Sequence, residues 1–162
     1  MTDYYFTENP NAEHDEKHWS YELLGHKLNF ISDRGVFSKN TIDFGTRTLL
    51  EAIQIQDAGE KILDVGCGYG PIGISIAKSF PNAQVQMTDV NERALGLAKR
   101  NADSNGVEKQ TQIYKSDAYE EVKETDFTTI ISNPPVRAGK SVVETIIADA
   151  KQHLKQDGQL VI

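Results

Sequence analysis

A doubly wound α/β fold with a mostly parallel sheet is what this sequence predicts, and three observations carry that expectation. From Lys61 onward, short apolar runs alternate with amphipathic stretches, the pattern of parallel strands joined by crossover helices and covered on both faces. The first run, Lys61-Ile62-Leu63-Asp64-Val65, breaks into four glycines in eight residues (Gly66, Gly68, Gly70, Gly73) before apolar spacing resumes at Ile74, Ile76 and Ala77. Polar residues able to hold a ligand recur just after the successive runs, where the crevice of such a sheet lies.

The elements follow in chain order. Residues 1–19 carry little periodicity and read as an arm. Residues 20–31 alternate apolar and polar residues on both sides of Gly25, which predicts a small β-hairpin. Arg34-Gly35-Val36-Phe37-Ser38 reads as a loop, and residues 41–53 take helical spacing through Leu49, Leu50 and Ile53, capped by Thr41 or Asp43. Strands are expected at 61–65, 84–89, 111–115, 127–132 and 158–162, with helices at 71–80, 91–104 and 140–155. Pro71 suits a first helical position, where its missing N–H would go unpaired anyway. The second helix is capped by Asn91 or Asp89 and stopped by Asn105-Gly106.

A chain of 162 residues with 38% hydrophobic content builds one domain, with an arm, hairpin and cap helix in 1–60 and a ligand-binding α/β core in 61–162. The chain ends on Gln159-Leu160-Val161-Ile162, inside an apolar run, so the core reads as truncated, with C-terminal strands missing and an edge left open. One cysteine excludes an internal disulfide, and no apolar run approaches the ~20 residues that span a bilayer. Without signal-peptide features at Met1-Thr2-Asp3-Tyr4-Tyr5, a cytoplasmic protein is expected, with no membrane partner. The net charge of −7 repels nucleic acid, so an RNA partner would have to meet a local basic patch. His14 and His18 lie four apart but lack a glutamate directly after the first, and no metal site is expected.

The glycine loop suggests a nucleotide-like ligand, because it frees backbone N–H groups at the start of a helix and lets a ligand approach without a Cβ in the way. Two frames overlap in it. Gly68-x-Gly70-x-x-Gly73 with Asp89 fits a dinucleotide cofactor; Asp64-x-Gly66-x-Gly68-x-Gly70 is the other frame. Asp89 can accept both hydroxyls of a ribose, or cap a helix. Asp117 could accept from an adenine amino group while the Ala118 N–H donates to the ring, or it too could cap a helix start. Asp64, in or just after a buried strand, must be held by loop N–H groups or by the ligand.

Asn133-Pro134-Pro135 decides between the frames. An amino nitrogen on a purine or an amide delocalises its lone pair and is a poor nucleophile. The Asn133 side-chain oxygen and the Pro134 carbonyl can each accept one N–H of such a group, turning its lone pair toward a methyl donor and stabilising the charge that develops. The paired prolines stiffen the turn.

In these motifs the sequence resembles the class I methyltransferase "small domain" family, typified by the 16S rRNA guanine-N2 methyltransferases. The resemblance runs from about residue 20 to 162. It rests on Gly35-Val36-Phe37-Ser38, Asp43-Phe44-Gly45-Thr46 and Leu49-Leu50, on Leu63 to Gly73, on Asp89-Val90-Asn91 and on Asn133-Pro134-Pro135. It implies a Rossmann-like fold, S-adenosylmethionine (SAM) as cofactor, and an N-methyltransferase acting on a guanine N2 amine of small-subunit rRNA. Adenine-N6 or a protein glutamine amide are the alternative targets; a nicotinamide oxidoreductase or a catalytically inactive SAM-binding module are alternatives of other classes.

By the resemblance, Asp64, Gly66, Gly68 and Gly70 line the methionine part of SAM, Asp89 its ribose, and Asp117 with Ala118 its adenine; Cys67 and Val90 complete the cofactor set. Asn133, Pro134 and Pro135 form the catalytic turn. Phe37 and Asp43 belong to a segment that folds over the pocket, and Val136 and Arg137 are expected beside the target. Val136 departs from the family's aromatic residue, so stacking on the base must come from elsewhere, Phe37 being one source. Lys39, Arg47, Arg137 and Lys140 are a basic rim or simply solvated surface.

Overall fold

Alternation about Gly25 produces an antiparallel hairpin of β1 (Lys17–Leu23) and β2 (His26–Ser32), registered from Lys17 opposite Ser32 to Leu23 opposite His26. Gly25 turns the chain at φ +80°, a conformation that glycine takes without a Cβ penalty. The hairpin starts three residues earlier than the sequence suggested, at Lys17 instead of Ser20, because pairing with Ser32, Ile31 and Phe30 extends it into the expected arm. The computed structural model describes residues 15–23, 25–33, 61–134 and 139–162. The Phe37 loop, the helix expected over 41–53 with Thr41 and Asp43, and residues 135–138 lie outside the described residues.

The core is a five-stranded parallel sheet of β3 (Lys61–Val65), β4 (Gln84–Asp89), β5 (Thr111–Lys115), β6 (Phe127–Ser132) and β7 (Leu154–Val161), ordered β5-β4-β3-β6-β7. Among the described residues, α1 (Pro71–Ser79), α2 (Glu92–Ser104) and α3 (Lys140–Ala150) are its helices, with one turn of 3₁₀ at Glu108–Gln110. This is the expected doubly wound α/β architecture. The bounds of β3 to β6 agree with those expected, since each is a short apolar run closed by polar or turn residues.

Alternation along β3 splits the interior in two. Ile62 joins a cluster with Ile74, Ile76, Val85, Met87 and Leu97 beneath α1 and α2. Leu63 and Val65 join one with Phe127, Ile130 and Ile146 beneath α3. Leu28 and Phe30 of the hairpin are buried in the first cluster. There α1 lies close on the sheet: a Cβ at Gly73 would stand 2.7 Å from Met87 Sδ, so any larger residue would force the buried Met87 side chain to shift.

The C-terminal elements differ from expectation. Helix α3 stops at Ala150, five residues short, and β7 opens at Leu154, four residues early. His153 is the reason. Its ring stacks on Tyr119 (centroids 4.8 Å apart, planes 13° apart), its Nδ1 lies 2.8 Å from the Glu124 carbonyl, and its own carbonyl accepts the Phe127 N–H at 3.0 Å. These contacts draw the chain off the helix and into the sheet. Between Phe127 and Thr129 the pairing then shifts register, with Asp157 at φ +69° in the irregular stretch.

Candidate functional site

Strand register assembles the site. Val65, the last residue of β3, pairs with Thr88 on one side and Ser132 on the other, and Asp89 pairs with Lys115. The residues that follow, Ser116-Asp117 after β5, Asp89 at the end of β4, Gly66 after β3 and Asn133 after β6, therefore stand side by side along one sheet edge. Neighbouring strands are about 4.8 Å apart, so the row brings all four within reach of one extended ligand.

The glycine loop is built by its backbone. The Thr88 carbonyl accepts from both Gly66 and Cys67 N–H at 2.8 Å, and the Cys67 carbonyl accepts from Gly70 N–H at 3.0 Å. That path takes Gly66 to φ +74°, Gly68 to +59° and Gly70 to +99°, which L side chains rarely adopt. A Cβ at Gly66 or Gly68 would meet no heavy atom within 4 Å, so these two are glycine for their φ and their open face, whereas a Cβ at Gly70 would also stand 2.7 Å from Ile74 Cδ1. Cys67 turns inward, buried, with its thiol donating to the Gly68 carbonyl at 3.4 Å; burial pushes that thiol well above its ordinary pKa and keeps it a thiol.

Asp89 is held at the crevice and does not cap α2. Its Oδ2 accepts the Gly68 N–H at 2.8 Å and its Oδ1 the Asn91 N–H at 2.9 Å. Asn91 is the cap, accepting the Ala94 N–H at 3.1 Å. With two lone pairs on each oxygen, the carboxylate keeps acceptor capacity beyond these bonds. Burial raises its pKa, against the N–H groups of Asn91, Gly68 and Val90, which favour the charged form.

Asp64 lies beneath the loop. It is 1% exposed, its Oδ2 accepts the Gly73 N–H at 3.1 Å, and its Oδ1 has no partner among the described residues. It thus ties the end of β3 to the first turn of α1. Burial pushes its carboxyl up to about 7; the Gly73 N–H opposes that rise and the Asp89 charge adds to it. In the unfolded chain the group ionises near 3.8, so the folded state binds the proton more tightly and stability falls as pH climbs from about 4 to about 7, then levels off. Asp64→Asn removes this titration while keeping an acceptor for Gly73. Its stability relative to the unsubstituted protein should rise with pH, leaving it ahead by up to about 4 kcal/mol at pH 8. Thermal unfolding of both proteins at intervals from pH 4 to 8 measures the gap, and parallel curves would refute it.

The turn after β5 is held by a residue that sequence reasoning missed. Ser116 Oγ donates to the Ala118 carbonyl at 2.8 Å and accepts the Glu121 N–H at 3.0 Å. The Ser116 N–H donates to the Asp89 carbonyl at 3.1 Å, tying this turn to β4. Asp117 is exposed and Ala118 half-buried at φ +49°. The cap-like role weighed for Asp117 thus falls to its neighbour, leaving the Asp117 carboxyl at the surface.

After β6, Ser132 Oγ donates to the Val65 carbonyl at 2.8 Å, pinning the strand that delivers Asn133 beside the glycine loop. Asn133 and Pro134 are half-buried. Pro135, Val136 and Arg137, like Phe37, Asp43, Lys39 and Arg47, lie outside the described residues. Lys140, the remaining member of the expected basic rim, is exposed and stands 3.8 Å from Glu144 one turn on, an ordinary surface pair. Also unforeseen were Asn101 of α2 and its C-cap Asn105 as residues whose side chains hold the hairpin. Their trace in the sequence is asparagine at four-residue spacing, one inside a helix, where it is a poor former, and one at the stop that follows it. No helix among the described residues is long and apolar enough to cross a membrane.

Comparison with known proteins bears on this arrangement. A family model described as Methyltransferase small domain matches residues 27–162. The uncharacterized protein YbxB of Bacillus subtilis is 43% identical over 163 residues, covering 100% of this chain and 81% of that protein. Ribosomal RNA small subunit methyltransferase C of Vibrio vulnificus is 35% identical over 150 residues, covering 90% of this chain and 43% of the relative. The Thermus thermophilus 16S rRNA N2 G1207 methyltransferase RsmC, solved with AdoMet and guanosine, matches with a TM-score of 0.77 and 26% identity over 86% of this chain and 39% of that one. The chain therefore spans under half the length of the methyltransferase C relatives it matches. A ribosomal protein L11 methylase from Lactobacillus delbrueckii shares the fold at a TM-score of 0.58 and 24% identity. Because the family model begins inside β2 and runs through the glycine loop and all five parallel strands to Ile162, the chain belongs to the methyltransferase small domain family, whose cofactor is SAM.

Proposed function

We propose that this protein is a SAM-dependent N-methyltransferase that modifies an exocyclic amine, the N2 of a guanine in small-subunit rRNA. The observation that carries the reading is the register of Val65 with Ser132, which puts Asn133-Pro134 directly beside Gly66. An acceptor pair for an amine and a glycine cradle for a cofactor then share one crevice. The relatives named for 16S rRNA methylation support the target class.

The residues present suit SAM. Gly66 and Gly68 offer backbone with open space where a Cβ would stand, and Asp89 offers a carboxylate with acceptor capacity left for ribose hydroxyls. Cys67 and Val90 flank these positions, and Asp117 with Ala118 closes the row where an adenine would extend. Asp64, proposed to line the methionine part, supports the loop from below through Gly73. SAM supplies a methyl group on a sulfonium, an electrophile that needs no metal, covalent enzyme intermediate or strong base. The chain's own task is to accept both N–H bonds of the amine at Asn133 Oδ1 and the Pro134 carbonyl, to stiffen that turn through Pro135, and to hold the nitrogen in line. Alignment of this kind is worth up to roughly 7–11 kcal/mol.

The target follows from Asn133-Pro134 chemistry less sharply than the amine does, because adenine N6 and glutamine amides present the same pair of N–H bonds. Radiolabelled SAM incubated with small ribosomal subunits, bare rRNA and a protein extract sorts these. Label is expected in 16S rRNA as N2-methylguanine after nuclease digestion; label confined to protein would overturn the RNA target.

A further inference from the structure

Helix α2 and its C-cap hold the hairpin through two asparagines whose geometry matches that of the strand. Asn101 Oδ1 accepts the Ile31 N–H at 2.8 Å and its Nδ2 donates to the Ile31 carbonyl at 3.0 Å. One turn later, Asn105 accepts the Asn29 N–H at 3.0 Å and donates to the Asn29 carbonyl at 2.7 Å. Four helical residues rise about 6.0 Å and two strand residues about 6.6–6.8 Å, so side chains at i and i+4 meet backbone at j and j+2. The outer edge of β2 is thereby closed by side-chain amides instead of another strand.

The two asparagines differ in where the remaining Nδ2 hydrogen goes. Asn105 donates it to the Asn101 carbonyl of the helix it caps, at 2.8 Å. Asn101, fully buried, donates it to the Tyr69 carbonyl at 2.9 Å, in the peptide that joins Tyr69 to Gly70. The same Tyr69 packs its ring edge-on against Phe30 of β2, with centroids 5.9 Å apart at 77°. At its other end α2 begins just after Asp89, which holds the Gly68 N–H. Asp89 at the end of β4 and Asn101 of α2 thus hold the glycine loop from its two flanks.

We propose that Asn101 is a positioning residue for the cofactor: its amide fixes the Tyr69 peptide, and so couples docking of the N-terminal hairpin to the conformation of the Gly68–Gly70 turn. By linkage, the cofactor strengthens the hairpin's hold as much as the hairpin strengthens the cofactor's. The inference rests on the assignment of this loop to SAM.

Asn101→Ala and Asn105→Ala each delete three hydrogen bonds, but only the first frees the loop. Both should lower the unfolding temperature to a similar extent. Titration calorimetry with S-adenosylhomocysteine, at a temperature where both variants are folded, should show affinity at least tenfold weaker in Asn101→Ala and within threefold of the unsubstituted protein in Asn105→Ala. A folded Asn101→Ala with undiminished affinity, or equal weakening in both, overturns the proposal. Should Asn101→Ala fail to fold, amide exchange in the unsubstituted protein answers instead: saturating S-adenosylhomocysteine should slow the Ile31 amide more than the Val85 amide in the core. An Ile31 amide that merely follows Val85 overturns the coupling. If the unsubstituted protein binds no S-adenosylhomocysteine at all, the assignment of the loop fails, and the coupling with it.

Discussion

Asn133→Ala is expected to lower the rate of methyl transfer by two to three orders of magnitude while leaving affinity for S-adenosylhomocysteine within about twofold, the range lost when one positioned hydrogen-bond partner of a developing charge is removed. As the amine attacks, its nitrogen turns positive, and an acceptor aimed at its N–H gains strength along the reaction while contributing less in the ground state. Such a change falls on kcat more than on KM. Asn133 follows the strand that Ser132 pins to Val65, so truncating its side chain leaves β6 anchored. Single-turnover rates with saturating cofactor separate the outcomes. An Asn133→Ala protein as fast as the unsubstituted one would refute the catalytic turn, and an unsubstituted protein that binds cofactor yet methylates nothing would favour the inactive binding module.

Asp89→Ala should weaken S-adenosylhomocysteine binding by a hundredfold or more and also destabilise the free protein. Two effects combine. The carboxylate is the proposed acceptor for the ribose hydroxyls, and it is the partner of the Gly68 and Asn91 N–H groups. Leaving a buried donor unpaired costs about 1–3 kcal/mol, and the turn at Gly68, held at φ +59°, loses the bond that fixes it. Asp89→Asn keeps an oxygen for one of those N–H groups and should recover part of the stability but little of the affinity, since its amide no longer accepts on both atoms. Calorimetry and thermal unfolding on the three proteins test this; a folded Asp89→Ala with affinity within threefold of the unsubstituted protein would remove Asp89 from the cofactor site.

Asp64 and Asp89 show how differently two carboxylates in one motif can act. In the sequence both look like ligand-binding acids at strand ends. Asp89 stands at the crevice with acceptor capacity to spare, whereas Asp64 is under the loop, tied to Gly73 and pushed by burial toward neutrality near pH 7. The same division applies to the glycines: Gly66 and Gly68 face open space, and Gly73 is pressed on Met87. Spacing cannot separate these roles, because it is blind to which side of the backbone carries the ligand.

What the sequence determined by itself was local. Strands β3 to β6, the glycine loop and Pro71 at the head of α1 are each written in a few consecutive residues, where apolar runs set the strands, glycines open the positive-φ region and proline fixes φ. Tertiary structure decided everything that depends on a distant partner: that α3 ends at Ala150 because His153 stacks on Tyr119, that Ser116 rather than Asp117 holds the turn after β5, and that Asn101 joins hairpin to loop. An asparagine in a helix satisfies its amide with whatever backbone packs against it. Only the fold brings Ile31 and Tyr69 there, from 70 and 32 residues away in the chain.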